Sequence, residues 1–191
     1  ATNYDFANLT DGTLTIDKAH LTVTADNQSR LYGQANPSLT QTISGFVNNE
    51  NLASSGVSGT ALGSTSATAT TNVGSAAIVA STSGLSAGNY DFTASSTDGT
   101  LTIDKAHLTV TADNKTRLYG QANPTLTTTV SGFVNGESAS TAAGFAGAGT
   151  ASTTAVAATN VGTATITAGA GTLAATNYDF ANLTDGTLTI D

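Results

Sequence analysis

Short stretches in which apolar and polar residues alternate recur along the chain. Leu108–Ala112, Val161–Thr167 and Gly186–Ile190 each place apolar side chains at alternate positions, and Thr127–Val130 does so more weakly. A period of two is the pattern of a strand with one buried face. Glycine, asparagine, aspartate and serine separate these stretches, and these residues favour turns. The pattern therefore predicts an all-β fold of short strands.

An Asp-Gly pair lies between alternating stretches at three places, Asp11-Gly12, Asp98-Gly99 and Asp185-Gly186. Asp-Gly suits the type I′ turn, in which both central residues have positive φ. We therefore expect a β-hairpin at each pair, with Asn177–Phe180 on one side of the last pair and Gly186–Ile190 on the other.

The sequence repeats with a period of 87 residues. Lys18–Asn27 returns unchanged as Lys105–Asn114, and the string Asp-Gly-Thr-Leu-Thr-Ile-Asp begins at three positions with the same spacing. A fixed period of this length indicates tandem structural modules. We expect six or seven strands in each module of 87 residues.

The two ends of the chain fix the borders of the modules, because residues 1–17 are identical to residues 175–191. We predict a first complete module over 18–104 and a second over 105–191. Residues 1–17 are then the C-terminal strand pair of a preceding module.

The junction between the modules consists of Asp104, Lys105, Ala106 and His107, with no glycine or proline. Apolar residues stand at odd positions before the junction and at even positions after it. A shift of one residue turns every side chain of a strand to its other face, so a bulge or a sharp bend is expected here. The sequence predicts a short, stiff connection rather than a flexible linker.

The charge of the chain argues against nucleic acid as a partner. The net charge is −8, and the five basic residues are Lys18, Arg30, Lys105, Lys115 and Arg117. Binding to phosphates requires clustered lysine and arginine. There is no cysteine, which excludes disulfides, and no apolar run reaches the roughly 18 residues of a membrane span. We expect neither nucleic-acid binding nor membrane insertion.

The residue types needed for catalysis do not recur together. Each module has one histidine, His20 or His107, next to the module border. A hydrolytic triad needs a nucleophile, a base and an orienting acid in one place. We predict no catalytic residues and no enzyme activity, and we interpret the histidines as packing or hydrogen-bonding residues.

Acidic and amide residues near the junction are the best candidates for a metal site. Asp104, Asp113 and Asn114 could offer oxygen ligands to calcium. However, no Asp-x-Asp-x-Asp loop is present, and aspartate and asparagine are common turn residues. We therefore predict no cofactor, with calcium at these three residues as the alternative.

The aromatic residues recur in equivalent strings of the two modules. The pairs are Tyr32 with Tyr119, Phe46 with Phe133, Tyr90 with Tyr178 and Phe92 with Phe180. A module without tryptophan or methionine needs its aromatics for the core. The tyrosine of Leu-Tyr-Gly-Gln-Ala-Asn-Pro is the best candidate for an exposed, ligand-binding exception.

Five strings occur in the same order in each module, and the first module departs from them at Asn49 and at Ser75-Ala76-Ala77. In the second module they are Leu118–Pro124, Ser131–Glu137, Asn160–Ile166, Asn177–Phe180 and Asp185–Ile190. This ordered pattern resembles the MBG-type repeat, of the Tyr-Gly variety, of bacterial surface adhesins, many of which are filamentous-haemagglutinin-like exoproteins. The resemblance implies an extracellular protein of the bacterial cell surface, with a role in cell adhesion and biofilm. It brings no catalytic residues.

Two fold classes fit a module of this size and strand count. The first is a pair of antiparallel sheets packed as an immunoglobulin-like β-sandwich, with the two modules in an elongated rod. The alternative is a β-grasp module, in which Gly136-Glu137-Ser138-Ala139 would start a short helix over 137–145.

Two functions then compete. The first is a structural spacer, or stalk, that projects a distal binding domain from the cell. The second is a repeat that itself binds glycans, matrix or a partner adhesin. The expected partners are neighbouring modules of the same chain, with a host or matrix glycan added in the second case. The 191 residues themselves are expected to be monomeric.

Overall fold

A computed structural model describes Asn3 and residues 10–191, apart from the side chains of 93–95. This part of the chain contains strands, turns and loops and no helix. The strands of the first module are β1 Ala19–Ala25, β2 Gln28–Leu31, β3 Gln41–Ser44, β4 Gly74–Ile78, β5 Tyr90–Thr97 and β6 Gly99–Asp104. The strands of the second are β7 Ala106–Ala112, β8 Lys115–Arg117, β9 Thr128–Ser131, β10 Thr150–Ser152, β11 Gly162–Gly169, β12 Tyr178–Thr184 and β13 Gly186–Ile190. All-β tandem modules are thus confirmed.

Each module consists of two sheets. The strand orders are β3-β1-β5 and β2-β6-β4 in the first module, and β9-β7-β12 and β10-β11-β13-β8 in the second. The inward positions of the central strands are apolar and fully buried, as at Leu21 and Val23 of β1 and Leu101 of β6. The alternating pattern of the sequence therefore marks the core face of each strand, as expected.

The sheets are mixed, which corrects the prediction of purely antiparallel sheets. Strand β1 pairs with β3 in antiparallel and with β5 in parallel orientation. Strand β6 pairs with β4 in antiparallel and with β2 in parallel orientation. The second module has the same arrangement. The module is a β-sandwich, but β1 and β6 of the first module and β7 and β13 of the second each have a parallel neighbour.

The predicted hairpins at Asp98-Gly99 and Asp185-Gly186 are wrong. Strands β12 and β13 flank Asp185 but belong to different sheets, and neither Asp-Gly pair has positive φ. Each pair instead carries the chain from one sheet to the other. The pair at Asp11-Gly12 lies in residues 10–17, which form no strand.

Two crossing corners explain why the strands run in parallel. The chain passes from β1 to β2 at Asp26-Asn27 and from β5 to β6 at Asp98-Gly99. The corners are joined, because Asn27 Oδ1 accepts a hydrogen bond of 2.8 Å from Thr100 N. A Cβ at Gly99 would lie 2.6 Å from Ala25 O, so the corners pack closely. Two neighbouring segments thus change sheet side by side, and each keeps its parallel neighbour.

The β-grasp alternative is also wrong for the described residues. Residues 137–145 form turns and no helix. Of the strand pair predicted for residues 1–17, residues 10–17 form no strand, and the rest lies outside the described residues except for Asn3. Leu14 and Ile16 are exposed, whereas the equivalent Leu188 and Ile190 are buried in β13.

A buried arginine holds each module together at the end of its second strand. The Arg30 guanidinium donates to Asn36 Oδ1 at 2.8 Å, to Leu31 O at 3.1 Å and to Thr68 O at 2.5 Å. Arg117 makes the equivalent bonds in the second module. Both arginines are buried, so two of the five basic residues support the loops from inside.

Candidate functional site at the module junction

A single residue, Lys105, separates the last strand of the first module from the first strand of the second. Asp104 and Lys105 are both exposed, and the buried positions change from Ile103 to Ala106 across them. The change of parity predicted from the sequence is therefore present. Two successive exposed residues accomplish it.

The four predicted junction residues are anchored on both sides. Asp104 O accepts from Tyr32 N at 2.8 Å, and Ala106 N donates to Asn177 O at 3.0 Å. Lys105 Nζ donates to Ala175 O at 3.0 Å. These bonds fix the backbone before and after Lys105.

His107 pairs with an aspartate on the neighbouring strand. Its Nδ1 lies 2.8 Å from Asp179 Oδ2, and His20 lies 2.6 Å from Asp91 Oδ1 in the first module. Both histidine side chains are largely exposed. The hydrogen-bonding role predicted for the histidines thus corresponds to a pair that links β7 to β12.

The apolar core continues from one module into the other. One cluster of buried residues contains Ile78, Leu101 and Ile103 of the first module together with Leu108 and Tyr178 of the second. Burial of apolar surface is the main favourable term in association. The modules are therefore joined by a packed interface as well as by the chain.

Tyr32 and Gly33 form the centre of this interface on the side of the first module. The ring of Tyr32 meets that of Tyr178 edge to face, with centroids 5.6 Å apart, a favourable geometry for aromatic pairs. A Cβ at Gly33 would overlap the side chain of Val134. The Tyr-Gly pair thus supplies an aromatic contact and a space that a valine of the next module fills.

Polar contacts surround the aromatic pair. The carboxylate of Glu137 accepts from Tyr32 Oη at 2.9 Å and from Tyr178 Oη at 2.5 Å. Asn177 accepts from Val73 N at 3.1 Å and donates to Asn72 Oδ1 at 2.9 Å. Asn135 and Ala69 add a further bond of 3.2 Å between the modules. We call these contacts, with the Tyr32–Tyr178 pair, the joint.

The joint changes the acidity of its tyrosines. Burial raises the pKa of Tyr178 to about 12, and the hydrogen bond to Glu137 acts in the same direction. Burial likewise raises the pKa of Tyr32. The neutral phenols are therefore favoured in the folded protein.

Of the candidate calcium ligands, Asp113 and Asn114 are engaged in hydrogen bonds within the protein. Asp113 accepts from Thr127 and Thr129 at 2.5 and 2.8 Å, and these bonds lower the pKa of its carboxyl. Asn114 Oδ1 accepts from Thr187 N at 2.7 Å. Among the described residues no group of three acidic, histidine or cysteine side chains is arranged to hold a metal. Calcium at these residues stays the alternative to the prediction that no cofactor binds.

The joint brings together residues that the sequence interpretation overlooked. Glu137, Asn177 and Asn72 belong to recurring strings. The sequence alone did not predict a function for them, because such residues are also common in turns. The tyrosine of Leu-Tyr-Gly-Gln-Ala-Asn-Pro, the candidate for an exposed aromatic residue, is exposed in the second module only. Tyr32 is 3% exposed, whereas Tyr119 at the equivalent position is 57% exposed.

The model of the MBG domain (YGX type) matches residues 21–102 and 108–189, two copies that cover most of the chain. The chain belongs to the MBG family. Tyr32-Gly33 and Tyr119-Gly120 are the Tyr-Gly pairs of its two MBG modules. A search of curated proteins finds no match.

MBG modules are structural, adhesin-type domains, and their repeats are typical of surface adhesin-like proteins. The resemblance noted from the five ordered strings is therefore confirmed at the level of the family. Within the described residues no helix is long and apolar enough to cross a membrane.

Proposed function

We propose that this MBG pair is a spacer segment of a bacterial surface adhesin, which projects a distal binding domain away from the cell. The observation that carries the proposal is the joint. Tyr32, Glu137 and Tyr178 connect the modules through side chains of both. A spacer must transmit position along its length, and a packed, hydrogen-bonded interface does so where a flexible linker does not.

The short covalent connection supports the same function. Lys105 is the only residue between β6 and β7, and its flanking backbone is hydrogen-bonded to both modules. The net charge of −8 favours solubility and mutual repulsion along a surface structure. The proposed location is the extracellular face of a bacterial cell, and no cofactor takes part.

Small-angle X-ray scattering of the two-module protein tests the spacer function. We expect a monomer whose elongated scattering profile is reproduced by one arrangement of the two modules. A profile that requires a broad mixture of arrangements would contradict a spacer. The variant Tyr32→Ala removes the ring contact with Tyr178 and the hydrogen bond to Glu137 from the joint, and it should broaden the distribution of arrangements.

One observation favours a second candidate, in which each module binds a glycan. A cleft recurs at the same place in both modules, with volumes of about 210 Å³ and 480 Å³. The larger cleft is lined in part by Lys105, Asp179 and Phe180. Charged groups beside an aromatic ring are suited to a sugar.

A glycan array tests this alternative. Under the spacer proposal we expect no binding by the two-module protein. Binding that is lost on Phe180→Ala, with the fold retained, would favour the second function. Phe133→Ala is the matched control, because Phe133 contacts Tyr178 and Phe145 and does not line the cleft.

A further inference from the structure

We propose that the end of the second module around Tyr119 is a docking surface for a further MBG module placed directly after Asp191. The inference rests on the proposed spacer function and names the partner of that surface. We define the distal face of the second module as Tyr119, Gly120, Ala157, Asn160 and Val161.

The distal face of the first module is already occupied by such a partner. Its equivalent residues are Tyr32, Gly33, Ala69, Asn72 and Val73. Each of them contacts or hydrogen-bonds a residue of the second module in the joint. The first module thus shows what the face binds.

The distal face of the second module has the same residues in the same conformation. Gly33 and Gly120 both have φ of +83°. Gly33 N and Gly120 N each donate at 3.1 Å, to Ala69 O and Ala157 O respectively. The face is therefore formed before a partner arrives, so its docking requires little reorganisation.

Within the part of the chain that the structure describes, a module lies against the first face and none lies against the second. A Cβ at Gly33 would overlap Val134, whereas a Cβ at Gly120 would meet nothing within 4 Å. Tyr119 is 57% exposed and Tyr32 3%. Val161 is 67% exposed, whereas Val73 packs against the core cluster that spans both modules. Exposed apolar side chains such as those of Tyr119 and Val161, next to the open space over Gly120, are typical of an interaction surface.

The complementary surface is present at the other end of the protein. In the first module it consists of Val47, Asn48, Glu50, Asn89 and Tyr90, which are the same residue types as Val134, Asn135, Glu137, Asn177 and Tyr178. Tyr90 Oη donates to Glu50 Oε2 at 2.5 Å, as Tyr178 does to Glu137. A cavity of about 550 Å³ lies against these residues, where the joint places a tyrosine of the preceding module.

A module in the same chain fits the distal face better than a second copy of the protein. Ile16 and Asp17 line the cavity beside Glu50 and Tyr90, so a separate molecule would have to displace them. A module joined at Asp191 instead approaches at a high effective concentration. Asp17 is equivalent to Asp191, and residues 18–104 follow Asp17 directly in this chain. A module can therefore follow Asp191 through the same Asp-Lys connection.

The test is a three-module protein in which residues 1–191 are followed directly by a second copy of residues 18–104. The added copy carries Tyr32→Phe, so that the peptide with the interior Tyr32 differs in mass from the matching peptide of the added copy. Tyrosine nitration is followed by mass spectrometry, in which Pro124-Thr125 distinguishes the Tyr119 peptide from the Tyr32 peptide. We expect Tyr119 to react fast in the two-module protein and as slowly as Tyr32 in the three-module protein. An unchanged rate for Tyr119 would overturn the proposal.

Unfolding measurements provide a second test. Tyr119→Phe should leave the unfolding midpoint of the two-module protein unchanged. In the three-module protein it should lower the midpoint by the same shift as Tyr32→Phe. No shift in either protein would overturn the proposal. Protection of Tyr119 in the two-module protein at rising concentration, without protection in the dilute three-module protein, would assign the face to a second copy instead.

The two proposals fail separately. If Tyr119 stays reactive while the two-module protein scatters as one arrangement, the docking surface fails and the spacer function stands. If the modules bind glycans on an array while Tyr119 is protected in the three-module protein, the spacer function fails and the docking surface stands.

Discussion

Glu137 is the residue at which the hydrogen bonds of the joint converge. Its carboxylate accepts from a tyrosine of each module, Tyr32 and Tyr178. Hydrogen bonds to an ionised acceptor are shorter and stronger than those between neutral groups. Both tyrosine residues are buried. Removal of the Glu137 carboxylate therefore leaves two buried hydroxyl groups without this acceptor, which costs free energy.

Glu137→Ala should destabilise the protein more than Glu50→Ala does. Glu50 is the matched control, because it accepts a hydrogen bond from Tyr90 of its own module. Among the described residues, no tyrosine of another module donates to it. The excess measures the contact of Glu137 with Tyr32 and should be about 1–3 kcal/mol. Urea denaturation of both variants gives the two free energies. Equal losses would show that the contact with Tyr32 contributes nothing.

The stability of the protein should fall at high pH because of Tyr178. Its pKa is raised to about 12 in the folded protein, against about 10 for an unperturbed tyrosine. The folded state therefore holds its proton more tightly. The stabilisation that results from the raised pKa of Tyr178 is complete below pH 10 and is lost as the pH rises to about 12. Denaturation at a series of pH values from 8 to 12 should show the fall.

Tyr178→Phe is the control for this pH dependence. The variant lacks the ionising phenol, so its stability should fall less steeply between pH 10 and 12 than that of the wild type. Equal slopes would assign the pH dependence to other groups.

The sequence could predict most of the individual core residues and could not predict the different fates of Tyr32 and Tyr119. Alternation correctly places Leu108, Val110 and Leu188 in the core. Tyr32 and Tyr119, however, lie in the same string, Leu-Tyr-Gly-Gln-Ala-Asn-Pro. Tyr32 is buried against Tyr178 of the second module, and a contact between residues so far apart in the chain is not encoded in the local sequence.

At the scale of the strands, the crossing corners determine the fold of each module. At the corner between β12 and β13, a Cβ at Gly186 would overlap Ala112 O. Asp185 Oδ1 accepts from Ala168 N at 2.9 Å. The Asp-Gly pair is thus required by close contact with another corner and not by a turn with positive φ.

Gly186→Ala should therefore destabilise the second module by about 1–3 kcal/mol, the usual cost of overpacking. Gly88→Ala is the matched control, because a Cβ there meets nothing within 4 Å and Gly88 does not have positive φ. The control should change the free energy of unfolding by less than about 0.5 kcal/mol. If the two variants are equally stable, the corners are not closely packed.

The error over the hairpins has a physical cause. An Asp-Gly pair between alternating stretches is a local signal, and it correctly locates the ends of β12 and β13. Which strands pair is decided by contacts distant in the sequence, such as that of Asn114 with Thr187. Strand positions could thus be predicted from periodicity, whereas the parallel pairing of β7 with β12 could not.

At the scale of the whole molecule, calcium should have no effect on stability. Asp113 uses both carboxylate oxygens to accept from threonines, and Asn114 Oδ1 is also engaged. A ligand that binds only the folded state raises its stability. The thermal midpoint should therefore be the same in calcium and in chelator. A higher thermal midpoint in calcium than in chelator would support Asp104, Asp113 and Asn114 as calcium ligands.

The two modules are connected by one residue, a shared core and the contacts of Tyr32, Glu137 and Asn177. The sequence predicted the short connection from the lack of glycine and proline between Asp104 and His107. It did not predict that the side chains would continue the contact, because their partners lie about a hundred residues apart in the chain, as for Asn72 and Asn177 at 105 residues. We therefore infer that this joint holds the modules in one orientation.

Residual dipolar couplings of the backbone amides, measured by NMR on the weakly aligned two-module protein, test that claim most directly. If the joint holds, one alignment tensor fits the couplings of both 18–104 and 105–191, and the fit separates into two tensors in Tyr32→Ala. Two tensors of different magnitude in the wild-type protein would mean that the modules move independently, and would contradict the account.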